Sequence, residues 1–172
     1  MRCVRAWYLS ISILAVLFVA GCGGDEDLCK GIDCGEHGTC ESLTGSCVCD
    51  QGYVLDEGKC VVELEIVGSW VDDWDTSHVI TQDDWTMATS VFNITQFDND
   101  ADFLVAQNDS DNDYNPDKWS RFDWTEDGGD LYYCQIAYDA DDEATAAADT
   151  SADSGDLDTG CGGFSWSRLN PN

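Results

Sequence analysis

Residues 61–172 alternate apolar and polar positions with a period of two over several short stretches. Such alternation predicts strands with one buried face, separated here by polar turn clusters such as NDSDNDYNPD (108–117) and EDGGD (126–130). The predicted strands lie in ELEIVGSW (63–70), SVFNITQF (90–97), DFLVAQ (102–107), KWSRFDW (118–124), DLYYCQIAY (130–138) and GFSWSRL (163–169). The pattern predicts an antiparallel β-domain, either a barrel or a sandwich.

The phase of the alternation predicts which side chains share a face. The three predicted faces are Leu64, Ile66 and Trp70; Ser120, Phe122 and Trp124; and Tyr132, Cys134, Ile136 and Tyr138. One helix is expected in DDEATAAAD (141–149), because an alanine run follows an acidic first turn. The next segment, TSADSGDLDTGC, is expected to be a loop that returns to Cys161.

A different pattern occupies the first 21 residues. Arg2 and Arg5 precede an almost wholly apolar run from 6 to 20, which is shorter than the roughly 20 residues that a spanning helix needs. Such a segment is typical of a cleaved export signal. Its end, Val19-Ala20-Gly21-Cys22, resembles the lipobox of bacterial lipoproteins, which implies cleavage before Cys22 and lipidation of its thiol. The alternative is an ordinary secretory signal with Cys22 as a spare thiol.

The lipobox resemblance also implies a location. Lipidated Cys22 would begin the mature chain, followed by a short acidic tether over 22–28. Gly23 rather than Asp after the cysteine favours the outer membrane, by resemblance to proteobacterial lipoproteins. Two or three acyl chains would give stable anchoring. The expected location is therefore lipid-anchored in the outer membrane, at the cell surface or on the periplasmic face.

The cysteine spacing defines a second module. Of ten cysteines, Cys3 would leave with the signal and Cys22 would carry lipid, so an even number remains, as expected for disulfides in an exported protein. Six lie within 29–60, at Cys29, Cys34, Cys40, Cys47, Cys49 and Cys60, and the sequence alone leaves their pairing open. The spacing, with CGEHGTC and CVCDQGY, resembles an EGF-like module. That resemblance implies the bridges Cys29–Cys40, Cys34–Cys47 and Cys49–Cys60. Cys134 and Cys161 would then pair in the β-domain.

Two further resemblances concern residues 61–172. Gly68-Ser69-Trp70 on the first strand, with Arg168 on the last, resembles the calycin barrels (lipocalins and avidins). It implies that Trp70 packs at the barrel base under the Arg168 cation, and that the barrel mouth would hold an apolar ligand. The domain also resembles a C-terminal module of lipoproteins from predatory and myxobacteria-like organisms, which implies no activity.

Charge narrows the range of partners. The formal net charge is −28, so the surface repels phosphate backbones and nucleic acid is not expected as a partner. Calcium is the cofactor considered, because Asp109, Asp111 and Asp113 match the first three ligand positions of a calcium loop, although Tyr114 replaces the required Gly. Asp25 and Asp27 before the EGF-like module are a weaker alternative site. In both places a solvated acidic loop is the competing interpretation.

No catalytic motif emerges, and no enzymatic activity is expected. His78 is expected on a strand as a surface or packed side chain, while no nucleophile elbow or phosphate loop occurs in the sequence. Trp74 and Trp85, beside several acidic residues, are candidate ligand-binding side chains that would stack on sugar rings if exposed. The competing interpretation is that most of the tryptophans fill the core.

The expected fold class is mainly β: a small disulfide-rich EGF-like module at 29–60, then an antiparallel β-barrel or sandwich at 61–172 with one short helix. The expected function is a membrane-anchored, non-catalytic binding or adhesion module whose partner is a surface protein or a glycan. The alternatives are a small-molecule carrier of calycin type and a carbohydrate-binding module.

Overall fold

The computed structural model describes residues 27–172, so the predicted signal and lipobox lie outside the described residues. The first module consists of two small hairpins held by disulfides. Its strands are β1 (Gly38–Glu41), β2 (Ser46–Cys49), β3 (Tyr53–Asp56) and β4 (Lys59–Val62). Three bridges link Cys29 to Cys40, Cys34 to Cys47, and Cys49 to Cys60, which is the pairing that the EGF-like resemblance implies. A module this small buries too little apolar surface to fold without such bridges.

The second module is a closed antiparallel barrel of eight strands. The strands follow one another around the barrel in chain order, and pairs such as Leu169 with Asp72 close the last strand on the first. They are β5 (Gly68–Asp72), β6 (Ser77–Ile80), β7 (Asp84–Met87), β8 (Ser90–Asp98), β9 (Phe103–Asn108), β10 (Trp119–Asp127), β11 (Asp130–Ala140) and β12 (Ser167–Pro171). Of the two predicted architectures, the barrel is therefore correct, and closure leaves no free sheet edge.

Aromatic side chains fill the interior of the barrel. Trp85 and Phe122 are both 0% exposed, and their rings stack with centroids 4.5 Å apart. Phe92 meets Phe122 edge to face at 5.0 Å, and Tyr133 lies 5.3 Å from Trp85. The rest of the buried core cluster consists of Leu64, Ile66, Ile80, Leu104, Ala106, Trp124 and Leu169. Rings packed at these distances fill the space inside the barrel with side chains.

The structure corrects one detail of the predicted strands and shows which face of β11 is inward. Leu64 and Ile66 are core residues as expected, but they lie in the turn before β5 and not within a strand. In β11 the inward face carries Leu131, Tyr133 and Gln135, while the predicted face of Tyr132 and Cys134 points outward. Cys134 is nevertheless buried, because its disulfide holds a surface segment over it.

That segment, which we call the strap (residues 141–166), crosses the outside of the barrel. It begins with α1 (Glu143–Ala148), within the predicted helical range, and Asp142 caps the helix by accepting a bond from the Thr145 N–H at 2.8 Å. The Cys134–Cys161 bridge fixes its far part to β11. Beneath the strap, Arg121 forms a buried ion pair with Asp123. The strap thus explains why both faces of β10 are buried.

Two amide side chains fix the link between the modules to one end of the barrel. Gln82, in the β6–β7 turn, donates to the Val62 carbonyl at 2.9 Å and accepts from the Leu64 N–H at 3.0 Å. Asn99, in the β8–β9 turn, donates to the Glu63 carbonyl at 2.9 Å. We call this the proximal end; the opposite, distal end carries the turns at 73–76, 88–89 and 109–118. Among residues 27–172, no helix has the length and apolar character to cross a membrane.

Removing the strap disulfide is predicted to destabilise the barrel. The bridge closes a loop of 27 residues, for which chain entropy gives about 3.5 kcal/mol. We expect Cys134→Ala with Cys161→Ala to lower the free energy of unfolding by about that amount in urea, followed by tryptophan fluorescence. All tryptophans of residues 27–172 lie in the barrel strands, their turns or the strap, and none lies in the EGF-like module, so the signal reports the second module.

The matched control is Cys29→Ala with Cys40→Ala, which removes a bridge from the EGF-like module and should leave the fluorescence transition in place. An unchanged midpoint for the strap variant would contradict the stabilising role given to that bridge.

Candidate functional site

Three exposed aromatic side chains lie at the distal end of the barrel. Trp74 in the β5–β6 turn is 74% exposed, Tyr114 in the β9–β10 turn is 80% exposed, and Tyr138 near the end of β11 is 55% exposed. Trp85, predicted with Trp74 as a ligand-binding side chain, is fully buried in the core. The prediction for Trp85 is therefore wrong, because its strand points it at Phe122 and not at solvent.

A pocket of about 320 Å³ opens at this end, between the β7–β8 hairpin, the β9–β10 turn and β11. Its volume lies at the lower end of the range for small-molecule sites, about 300–1,000 Å³. It is lined by Met87, Ser90, Phe92, Asn108, Tyr114, Asn115, Gln135 and Tyr138. We call it the distal pocket.

The polar groups of the distal pocket form a connected network. Asn108 is 2% exposed and donates to the Asn115 carbonyl at 2.8 Å and the Tyr138 carbonyl at 3.0 Å, tying two segments of the rim together. The Ser120 hydroxyl donates to Asn108 Oδ1 at 2.6 Å and accepts from Gln135 Nε2 at 3.1 Å. No hydrogen bond from residues 27–172 reaches Gln135 Oε1. That amide oxygen remains free to accept a bond from a ligand.

The sequence prediction missed these residues although a signal for them exists. Asn108, Ser120 and Gln135 stand in phase with the inward-facing residues of β9, β10 and β11. A polar residue at the distal end of three neighbouring inward faces indicates a polar end to an otherwise apolar barrel. The three residues can be recognised as neighbours once the strand registers of the barrel are known.

A buried polar network supports the neighbouring β5–β6 turn. The Trp85 indole N–H donates to His78 Nδ1 at 3.0 Å, so the proton of neutral His78 is on Nε2, which donates to Asp72 Oδ2 at 3.2 Å. Asp72 Oδ1 accepts from the Trp74 and Thr76 N–H groups at 2.9 and 2.8 Å. His78 is thus the packed side chain of the two alternatives, and its network holds the turn that exposes Trp74.

Burial lowers the pKa of the His78 imidazole, despite the neighbouring Asp72 carboxylate. Burial alone would raise the pKa of Asp72, but the Thr76 and Trp74 N–H groups and His78 outweigh it, so that the pKa is lowered. Burial also raises the pKa of Tyr133, whose hydroxyl donates to Asp72 Oδ2 at 3.3 Å. At neutral pH the network therefore holds a carboxylate, a neutral imidazole and a neutral phenol.

The predicted calcium ligands do not converge. Asp109 Oδ1 accepts the Asp111 N–H at 2.9 Å, and its Oδ2 accepts from Asn93 at 3.4 Å, so its carboxylate stabilises the local turn. In the described part of the chain no three acidic, His or Cys side chains are placed to hold a metal ion, and this includes Asp109, Asp111 and Asp113. At the weaker alternative, Asp27 caps the Cys29 N–H at 3.2 Å, while Asp25 lies outside the described residues.

A second cleft, of about 300 Å³, lies at the proximal end beside Trp70 and Arg168. Among the described residues, Arg168 Nε is buried there without a hydrogen-bond partner, whereas three other polar groups of the cleft are paired. The Arg168 guanidinium bonds Asp130 at 2.8 Å, and the Trp124 indole N–H donates to Glu65 at 2.6 Å. The Trp70 indole N–H donates to the Ile66 carbonyl at 3.1 Å. Within residues 27–172 the recorded cation–π contact is Arg121 over Phe103, so the arrangement of Arg168 over Trp70 that a calycin barrel implies is absent.

Comparison with known proteins identifies the first module. The family model described as EGF-like domain matches residues 29–54. No curated protein and no solved structure matches the chain. The match spans the first five cysteines of the module and none of the barrel, so the chain contains an EGF-like domain, and its barrel has to be interpreted from its own geometry.

Replacing His78 is predicted to change the pH dependence of stability. Because the pKa of His78 is lower in the folded state, the unfolded state binds more protons, and stability falls as pH drops below about 6.5, the usual pKa of histidine. The slope from one proton is at most about 1.4 kcal/mol per pH unit. We expect the stability advantage of the native protein over His78→Gln to shrink between pH 7.5 and 5.5 in urea unfolding.

His37 is present in both the native protein and His78→Gln, so it does not contribute to the difference in stability between them. The lowered pKa of Asp72 places its titration below the range from pH 7.5 to 5.5. A difference that stays constant over the window would contradict the neutral, buried state assigned to His78.

Proposed function

We propose that this chain is an exported, lipid-anchored surface protein whose EGF-like module presents a non-catalytic binding barrel. The observation that carries the proposal is the exposure of Trp74, Tyr114 and Tyr138 at the barrel end opposite the module. Exposed aromatic side chains are enriched where proteins bind partners, since they offer large contact area at low entropic cost. A tether at the N-terminal side would leave this end free to meet a partner.

The anchor part of the proposal rests on sequence. The run from Ala6 to Ala20, followed by Val19-Ala20-Gly21-Cys22, supports lipidation at Cys22, and the four disulfides fit an oxidising compartment after export. We place the protein in the outer membrane because Gly23 follows the cysteine.

The absence of catalysis is part of the proposal, and the state of the reactive side chains supports it. Both His78 nitrogens are engaged by Asp72 and Trp85 inside the core. His37 stacks on Tyr53 at 3.9 Å in the EGF-like module. The eight cysteines from 29 onward are bridged. None of these groups is placed to act as a free base or nucleophile.

The filled interior favours a binding module over a carrier of calycin type. A carrier needs an apolar cavity inside the barrel, and here Trp85 and Phe122 stack across that space. Ile80, Leu104 and Leu169 pack around them with at most 2% exposure. A ligand would therefore meet the outside of the distal end.

The anchor is tested by replacing Cys22. In cells that process lipoproteins, we expect the native chain to partition into the detergent phase of Triton X-114 and Cys22→Ser to move to the aqueous phase. The lost acyl chains supply the membrane affinity. Cys3→Ser, which lies inside the signal, is the matched control and should remain in the detergent phase. Equal partition of the native chain and Cys22→Ser would overturn the lipoprotein assignment.

The binding face is tested with beads that carry the oxidised mature chain. We expect retention on at least one surface of a panel of bacterial polysaccharides, host glycoproteins and matrix proteins, above that of albumin-coated beads. Trp74→Ala with Tyr114→Ala should reduce the retention at least about tenfold, as expected for interface aromatics. Phe164→Ala removes another exposed aromatic, in the strap, and is the control. Retention that is absent, or unchanged in the distal variant, would contradict the proposed binding end.

A further inference from the structure

We propose that the distal pocket binds the neutral pyranose end of a glycan. This inference deepens the proposed function, because it assigns a ligand class to the same end of the barrel. It differs from the sequence prediction, in which tryptophans and neighbouring carboxylates would hold the sugar. In the distal pocket, amide and phenol groups would hold the sugar instead.

The charge distribution favours a neutral ligand. Every side chain that lines the distal pocket is uncharged, although the chain as a whole carries −28. A cation would find no carboxylate in the lining to pair with, and burying an unpaired charge is costly. An anion would be repelled by the overall field of the protein. A neutral polar molecule meets neither obstacle.

The hydrogen-bonding groups of the pocket suit a ligand rich in hydroxyls. Gln135 Oε1 accepts, the Ser90 hydroxyl both donates and accepts, and the phenols of Tyr114 and Tyr138 do the same. Sugar hydroxyls are themselves both donors and acceptors, so they can satisfy all of these groups. A purely apolar ligand would leave the Gln135 amide oxygen buried without a partner, which is costly.

The apolar part of the pocket suits the flat C–H face of a pyranose ring. Tyr114 and Tyr138 stand exposed on the rim, and Met87 and Phe92 form apolar walls. The negative face of an aromatic ring attracts the polarised C–H groups of a sugar. A volume of about 320 Å³ provides room for one terminal ring, with the rest of the glycan outside.

The site is held in shape before any ligand arrives. Asn108, itself almost fully buried, bonds the Asn115 and Tyr138 carbonyls and so fixes the two rim segments that carry the phenols. Ser120, with no exposed surface, fixes the Gln135 amide from below. A preorganised polar floor under an aromatic rim reduces the ordering cost of binding.

The test titrates methyl glycosides of neutral hexoses into the oxidised mature chain, with binding followed by NMR and isothermal titration calorimetry. A ligand of this size is expected to bind with a dissociation constant of about 1 mM. The matching hexuronic acid should bind at least about fivefold more weakly, because it is an anion. Tyr114→Ala, Tyr138→Ala and Gln135→Leu should each weaken binding about tenfold. Phe164→Ala should bind like the native chain.

Two results would overturn the inference: no hexoside binds below about 20 mM, or binding occurs but is unchanged in all three pocket variants. Tyr114 and Tyr138 are exposed, so their variants should fold, and the spectrum of each checks that they do. If hexosides fail while the beads still depend on Trp74 and Tyr114, the distal end binds a partner other than a neutral pyranose, and only the ligand class is wrong. If hexosides bind but bead retention is unchanged by Trp74→Ala with Tyr114→Ala, the pocket is supported as a sugar site and the adhesion role is contradicted.

Discussion

The stack of Trp85 on Phe122 inside the barrel is the contact on which the rest of the structure depends. A closed barrel of eight strands encloses a space that must hold either side chains or a ligand. Here two large rings fill its centre, and Phe92 and Tyr133 extend the aromatic packing. Because that space is occupied, the binding that we propose would take place at the ends of the barrel. The proximal end receives the EGF-like module, so the distal end remains.

Each end of the barrel is organised by a few polar side chains, half-buried at the proximal end and buried at the distal end. At the proximal end Gln82 and Asn99 hold the link to the first module through backbone bonds. At the distal end Asn108 fixes the rim of the pocket, and Asp72 holds the turn that exposes Trp74. A buried polar group is costly unless it is hydrogen-bonded, so the bonds made by Asn108 and Asp72 give the distal end a defined shape.

Much of the architecture could be predicted from the sequence because its causes are local. Period-two alternation located most barrel strands, the alanine run located α1, and the resemblance to an EGF-like module implied the three bridges of the first module. The β6–β7 hairpin was harder. His78 in β6 was expected on a strand, but β7 (Asp84–Met87) is short and begins with an acid, and no strand was predicted for it. Trp85 was misplaced for the same reason. The alternation in β11 did not show which face is inward, because Cys134 on the outward face is also buried, by the strap disulfide.

The distal pocket could not have been predicted from one sequence. Asn108, Ser120 and Gln135 come from three strands, and their proximity depends on the registers of the closed barrel. The central claim, that the barrel interior is filled, is tested most directly by titrating dissolved xenon into the protein and following its methyl groups by NMR. A filled core predicts no saturable shifts at Ile80, Leu104 and Leu169, because apolar cavities are what bind xenon. Saturable shifts confined to those methyl groups would reveal a hollow barrel and contradict the account.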